Sequence, residues 1–247
     1  MRAMTCAVSR RLLAALLLPG LACTVRAGEA PRAVVELFTS QGCSACPPAD
    51  RIIGDLARDP GVIALSLPVT YWDYLGWKDT LAHAAFTERQ RAYAGQRGDR
   101  QVYTPQAVVN GAAAVVGSDR AALEHSIRDP GTAESLPVPI RSDVVADRIR
   151  IEVGALSDHG RKAELWLLPV VRAREVVIGR GENRGKTVTY RNVVRGMHHV
   201  GSWDGSAARF EVPRSVLAAD ADSYVLVLQA EHGGPGRILG AAKGPGL

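Results

Sequence analysis

The chain has 247 residues, 47% of them hydrophobic and 22% charged. That is enough to bury a substantial core, and it excludes a wholly disordered chain. The formal net charge is +5, but aromatic residues are only 5% and are sparse among the basic ones, so a nucleic-acid surface has little support.

The first 27 residues read as an export signal. Arg2, Arg10 and Arg11 make a basic start, Leu12 to Leu18 a short apolar core, Pro19-Gly20 a break, and Val25-Arg26-Ala27 a cleavage site with small residues. The alternatives are a buried N-terminal helix and a lipoprotein signal at Gly20-Leu21-Ala22-Cys23, whose leucine stands one place off. Cleavage removes four arginines and no acids, so Lys and Arg fall from 30 to 26 against 25 acids and the net charge to about +1. Cys6 and Cys23 leave with it. Cys43 and Cys46 remain, in a protein expected to be periplasmic or secreted. No later apolar run approaches the roughly 20 residues of a membrane span.

Residues 33–39 (AVVELFT) predict a buried strand. Ala49, Ile52, Ile53 and Leu56 recur at helical spacing behind Pro47-Pro48, a pair suited to a first helical turn. Residues 62–69 predict a second strand and 80–94 a second helix, with Ala82, Phe86, Arg89 and Tyr93 along one side. Gln106 to Asn110 and Ala112 to Val116 predict a hairpin turning at Asn110-Gly111. Ser118 is placed to cap a last helix through Ile127. An opening strand–helix–strand unit followed by a hairpin and a helix is the thioredoxin arrangement. It puts the start of the first helix beside the end of the sheet.

Asp129-Pro130-Gly131 and Pro137-Val138-Pro139 then predict a linker. Beyond it, Ile149, Ile151 and Val153 alternate with charged residues, and strand-like runs follow at 163–171, 175–179, 187–195, 207–212 and 223–230, with one turn near Arg214 to Ala219. The expected fold class is therefore α/β: a thioredoxin-like domain over 28–132, then an all-β, sandwich-like domain over 133–247.

Within residues 38–50 (FTSQGCSACPPAD), two thiols stand two residues apart. A bridge there closes so short a loop that its entropic gain is about 2 kcal/mol, against about 4.7 for a 100-residue loop. Stapling is a poor reason for it. As a redox couple the spacing is apt. One thiol sits at a helix N-terminus, where the dipole and unpaired N–H groups favour its thiolate, and the other lies a turn inside. Cys43 is then an exposed nucleophile with a pKa of about 6–7.5 and Cys46 the resolving thiol. Ser44 and Ala45 supply no cation. As a metal site the pair lacks further ligands. His198 and His199 are adjacent on a strand and point apart, which leaves Cu(I) as the metal alternative.

Val102-Tyr103-Thr104-Pro105-Gln106 precedes the hairpin, where the thioredoxin arrangement has a cis-proline facing the thiols. On that analogy Thr104–Pro105 is expected to be cis, with the Thr104 backbone open to an extended partner segment; an ordinary trans-proline opening an edge strand is the alternative. Tyr71 and Trp72 in YWDYLGWKD, with Tyr103, are the candidate substrate contacts, or else a cluster capping the core. Asp73 and Asp79 suit turn or cap roles better than proton transfer. Arg172 to Arg195 holds seven basic residues around a Gly-rich turn, which reads as a solvated hairpin face or a partner surface.

Together TSQGCSACPPADR, YWDYLGWKD, VYTPQAVVNG and GENRGKTVTYRNVVR resemble the bacterial secreted family called domain of unknown function 1223, over nearly the whole mature chain. The resemblance implies a thioredoxin-like domain followed by a β-rich one, with Cys43, Cys46, Thr104 and Pro105 as the working residues. Members tend to carry a His and an Asp where this chain has Pro68 and Thr70. Thr70 can donate a hydrogen bond but takes no proton at neutral pH. The expected function is thiol–disulfide exchange with protein thiols or disulfides of the cell envelope, without a bound cofactor. The rival readings are a non-catalytic envelope-binding module and a Cu(I) carrier.

Overall fold

The computed structural model describes residues 30–129, 136–156, 162–231 and 233–247. The expected export signal, with Cys6 and Cys23, lies outside them, as do Pro130-Gly131 of the expected linker. The fold is mixed α/β, with one large sheet and few helices.

The first half builds much as its periodicity predicts. Strand β1 (Ala33–Thr39) is buried at every position and pairs in parallel with β2 (Val62–Pro68), as strands covered on both faces do. Between them runs α1 (Cys46–Leu56), whose Ile52 and Ile53 pack with Val35, Leu37 and Val109 on one face of the sheet. Helix α2 (Ala84–Arg97) covers the opposite face through Phe86 and Tyr93. Strands β3 (Gln106–Val109) and β4 (Ala113–Val116) form the expected hairpin, with Asn110 and Gly111 both at positive φ. Helix α3 (Arg120–Arg128) is capped by Asp119, whose side chain accepts from the Ala122 amide at 3.0 Å. Ser118 is thus not the cap: the helix starts one residue later than its hydrophobic pattern suggests.

In the second half β5 (Ile140–Val145), β6 (Arg148–Val153) and β10 (Ala208–Pro213) form a three-stranded sheet. The runs expected at 163–171 and 175–179 are a single strand, β7 (Ala163–Val177). Its polar middle resembles a turn in sequence because the strand changes partners there. Residues 163–170 pair with β11 (Ser223–Glu231), and residues 170–177 with β8 (Thr187–Val194). Strands β5, β9 (His198–Trp203) and β12 (Pro235–Lys243) have weak signals: Arg141, Ser142 and Asp143 interrupt β5, and histidines, glycines and alanines dilute the β-branched pattern in β9 and β12.

The main sheet runs β12-β11-β7-β8-β2-β1-β3-β4, with β9 also paired to β7. It is continuous across the boundary expected near residues 132–133, because Ser66 on β2 pairs with Val193 on β8. Strand β11 shows how its two faces are used: Tyr224, Leu226 and Leu228 pack toward the three-stranded sheet, Val225 and Val227 toward α2. A buried polar knot ties the halves together. Glu36 accepts from Arg89 at 2.7 and 3.1 Å and from the Tyr93 hydroxyl at 2.6 Å; Gln229 on β11 donates to that hydroxyl at 2.7 Å. Among the described residues no helix is long and apolar enough to cross a membrane.

Candidate functional site

Cys43 and Cys46 are joined by a disulfide, with Cα atoms 5.4 Å apart. Their loop leaves the end of β1 and turns into α1. The Cys43 amide donates to the Ser40 carbonyl, and the Cys46 amide to the Cys43 carbonyl, each at 3.2 Å. Cys46 is the first helical residue and Cys43 lies just before the helix. The anion-stabilising power of this helix start is smaller than the spacing alone implies. Pro47 and Pro48 fill the first turn and carry no N–H, so two of its usual free donors are absent.

The second correction concerns access. Cys43 was expected to be exposed, yet it is 1% exposed and Cys46 0%, while Ser44 and Ala45 between them are exposed. Three distant segments contact the thiol loop. From the proline loop, the Thr104 carbonyl oxygen lies 3.7 Å from Cys43 Sγ, and the Thr104–Pro105 bond is cis. From the aromatic segment, Trp72 packs against Gly42 and donates its indole N–H to Thr104 Oγ1 at 2.8 Å, bridging the thiol loop and the proline loop. From the turn between β7 and β8, the Asn183 amide donates to the Gln41 carbonyl at 2.9 Å and to the Cys43 carbonyl at 2.8 Å.

Tyr71 turns its hydroxyl to Gln90 at 3.1 Å, and Gln90 holds the Tyr103 carbonyl at 2.8 Å. Tyr103 itself is 41% exposed. Trp72 and Thr104 thus meet at the disulfide, Tyr71 is tied to α2, and Tyr103 stands at the surface. Asp79 fills a loop role. Its carboxylate accepts from the amides of Gln41 and Leu81 at 2.8 Å each, and burial raises its pKa. Asp73 in turn accepts from the Asp79 amide at 3.1 Å.

Asp50, the last residue of the thiol motif, gains from the fold a place that the spacing of the thiols did not announce. It stands four residues after Cys46, hence on the same side of α1, and both are buried. Its Oδ1 accepts from the Thr39 hydroxyl at 2.8 Å, and its Oδ2 has no partner. Burial pushes its carboxyl up from 3.8 to about 7, with the Thr39 hydrogen bond opposing and the Asp79 charge adding. The i+4 offset from Cys46, on the helix face that also carries buried Ile53, was the signal that could have found it. Thr70, at the place where an acid was expected in relatives, bonds Thr87 at 3.0 Å and not the sulfurs. His199 pairs with Glu164 on β7, and among the described residues no group of three or more His, Cys, Asp and Glu is arranged to hold a metal.

Three likenesses bear on this geometry. A crystal structure of a protein from Agrobacterium tumefaciens superposes with a TM-score of 0.79 at 36% identity, covering 90% of this chain and 97% of that one. HBP35 of Porphyromonas gingivalis superposes at 0.57 with 10% identity, covering 87% of this chain and 74% of that one, a likeness of fold alone. A protein of Archaeoglobus fulgidus described as a probable thioredoxin is 42% identical over 36 residues, 15% of this chain. The chain spans only 40% of that relative's length. The family described as protein of unknown function, DUF1223, matches residues 34–229, and with that span, most of the chain and both of its halves, this protein belongs to the DUF1223 family.

Proposed function

We propose that this protein is an exported, thioredoxin-like thiol–disulfide exchange protein acting on protein thiols or disulfides of the cell envelope. The observation that carries the reading is the convergence at Cys43. A disulfide opens a helix that follows a parallel strand, and its outer sulfur faces the Thr104 carbonyl at the entrance to β3. The order of the first-half elements, β2-β1-β3-β4 with helices on both faces, supports a thioredoxin-like unit. The packing of Ile149 and Ile151 of the three-stranded sheet with Leu165 and Leu226 of the main sheet supports a sandwich-like second half. The N-terminal pattern supports export.

In this mechanism a partner thiolate attacks Cys43 Sγ, the Cys43–Cys46 bond breaks, and its electron pair stays on Cys46. The protonated Asp50 carboxyl gives that sulfur its proton. In the opposite direction the Asp50 carboxylate takes the Cys46 proton; the thiolate attacks Cys43 Sγ in the mixed disulfide and expels the partner thiolate. A carboxyl with a pKa of about 7 is poised for both directions near neutral pH. Insulin reduction and reactivation of scrambled ribonuclease, each with a Cys43→Ser control, test the reading. Activity in the wild type alone supports it, and equal activity in both removes Cys43 from the chemistry.

The 1% exposure of Cys43 favours a second reading, a binding module with a shielded, inert disulfide. Partners retained by a Cys43→Ser/Cys46→Ser double variant would support that module. Partners trapped only as mixed disulfides on Cys46→Ser would support exchange.

A further inference from the structure

The β7–β8 turn reaches the thiol loop from some 140 residues away in sequence, and its contact there is built. Ile178 is buried; its amide donates to the Lys186 carbonyl at 2.9 Å, and its carbonyl accepts from the Gly185 amide at 2.8 Å. Inside this rung, Arg184 donates to the Gly181 carbonyl at 3.1 Å and Lys186 to the Asn183 carbonyl at 3.0 Å. Gly179 sits so close to Trp77 that an added Cβ would lie 3.1 Å from the indole, and the Trp77 N–H donates to Gln41 Oε1 at 2.8 Å.

At the tip Asn183 is 1% exposed, with both polar atoms of its side chain bonded. Its two amide hydrogens go to the carbonyls of Gln41 and Cys43, and its oxygen accepts from Lys186 Nζ at 2.8 Å. The lysine fixes which way the amide faces, since a flipped amide would set oxygen against two carbonyl oxygens. Arg180, Gly181, Glu182 and Arg184 around it are exposed. A loop with an exposed rim and one buried, fully bonded residue is a clasp: its base stays packed at Ile178 and Gly179, while its tip is held at Asn183 and can be lifted there. The bonds it would break are two neutral hydrogen bonds, far fewer than hold any strand of the sheet.

We propose that residues 179–186 form a clasp on the thiol loop, with Asn183 as the positioning residue that holds the Cys43 loop closed and Lys186 as the group that orients Asn183. A partner reaches Cys43 Sγ only when Asn183 releases the two carbonyls. The clasp thereby selects partners able to displace it over small or bulky thiols that cannot. This rests on the exchange reading for its biological meaning, but not for its test.

The test measures second-order rates of reduction of the Cys43–Cys46 disulfide, with quenching by iodoacetamide and mass detection. The probes are dithiothreitol and reduced, unfolded ribonuclease A. Asn183→Asp keeps the side-chain shape and replaces both donors by acceptors; Lys186→Met leaves Asn183 in place but unoriented. Asn183→Asp should react about 10- to 30-fold faster than wild type with dithiothreitol, the factor set by two neutral hydrogen bonds. Lys186→Met should fall between, and reduced ribonuclease A, which like dithiothreitol has no means of displacing the clasp, should accelerate in the same order. Ile151→Val in the distant three-stranded sheet serves as a control for general loosening. Wild-type rates in Asn183→Asp, or equal acceleration in Ile151→Val at a matched melting temperature, would overturn the clasp. If the wild type reacts with dithiothreitol but none of the forms reacts with any protein thiol, the exchange function falls, while the dithiothreitol rates still decide the clasp.

Discussion

Asp50 offers the sharpest quantitative test. In the fold its carboxyl ionises near pH 7, and in an unfolded chain near 3.8. Between those values the folded state holds a proton that the unfolded state has lost. Stability must therefore fall as pH rises through this window and level off above it. The gap of about three units, at about 1.4 kcal/mol per unit, amounts to about 4 kcal/mol lost between pH 4 and pH 8. Asp50→Asn removes the titration while its oxygen can still accept from Thr39. Its amide N–H groups then occupy the place where Oδ2 finds no partner, which costs about 1–3 kcal/mol at every pH. The variant is thus expected to be close to or below wild type in stability at pH 5 and above it at pH 8. Urea unfolding at intervals from pH 4.5 to 8.5, with the disulfide intact, gives both curves. Their difference cancels the histidines and every other shared group. It should change by about 3 kcal/mol across the range, equivalent to roughly 10 °C in melting temperature at about 2–4 °C per kcal/mol. Parallel curves would show that Asp50 ionises normally and has no role as proton store for Cys46.

Two further outcomes follow from packing. Arg89→Leu leaves Glu36 charged and buried beneath α2, and should lower stability by about 3–5 kcal/mol in urea unfolding; a loss under 1 would mean that water reaches the Glu36 carboxylate. Gly111→Ala places a Cβ against the Gly236 carbonyl oxygen at a residue with φ of +67°, so β12 must shift. A melting experiment should show a loss of at least 1–2 kcal/mol, on the order of a strained backbone position, and an unchanged melting temperature would contradict this packing of the hairpin on β12.

Much of the first half was legible because its signals are local. The apolar run of β1, the 3.6-residue spacing of α1, the Asn110-Gly111 turn and the two-residue interval between the thiols are all set by a few neighbouring residues. Periodicity and turn chemistry read such intervals directly. Thr104 came from the thioredoxin analogy and not from periodicity; its carbonyl oxygen lies 3.7 Å from Cys43 Sγ, and Trp72 bonds its hydroxyl. Strand β7 shows where such local reading stops. Its partner changes at Val170, and nothing within the strand's own residues announces which neighbour each half will find.

The same limit governs the site. Sequence alone determined that Cys43 and Cys46 could form a couple at a helix entrance, because covalent spacing and helix geometry are properties of a short segment. Only the tertiary structure decided that the couple is shielded, that Asp50 is buried deeply enough to titrate near neutrality, and that Asn183 closes on the Cys43 carbonyl. Burial and long-range hydrogen bonds depend on which surfaces meet once the chain has folded. The meeting of residues 43 and 183 is fixed by the pairing of β7 with β8 and of β8 with β2, not by any pattern along the chain.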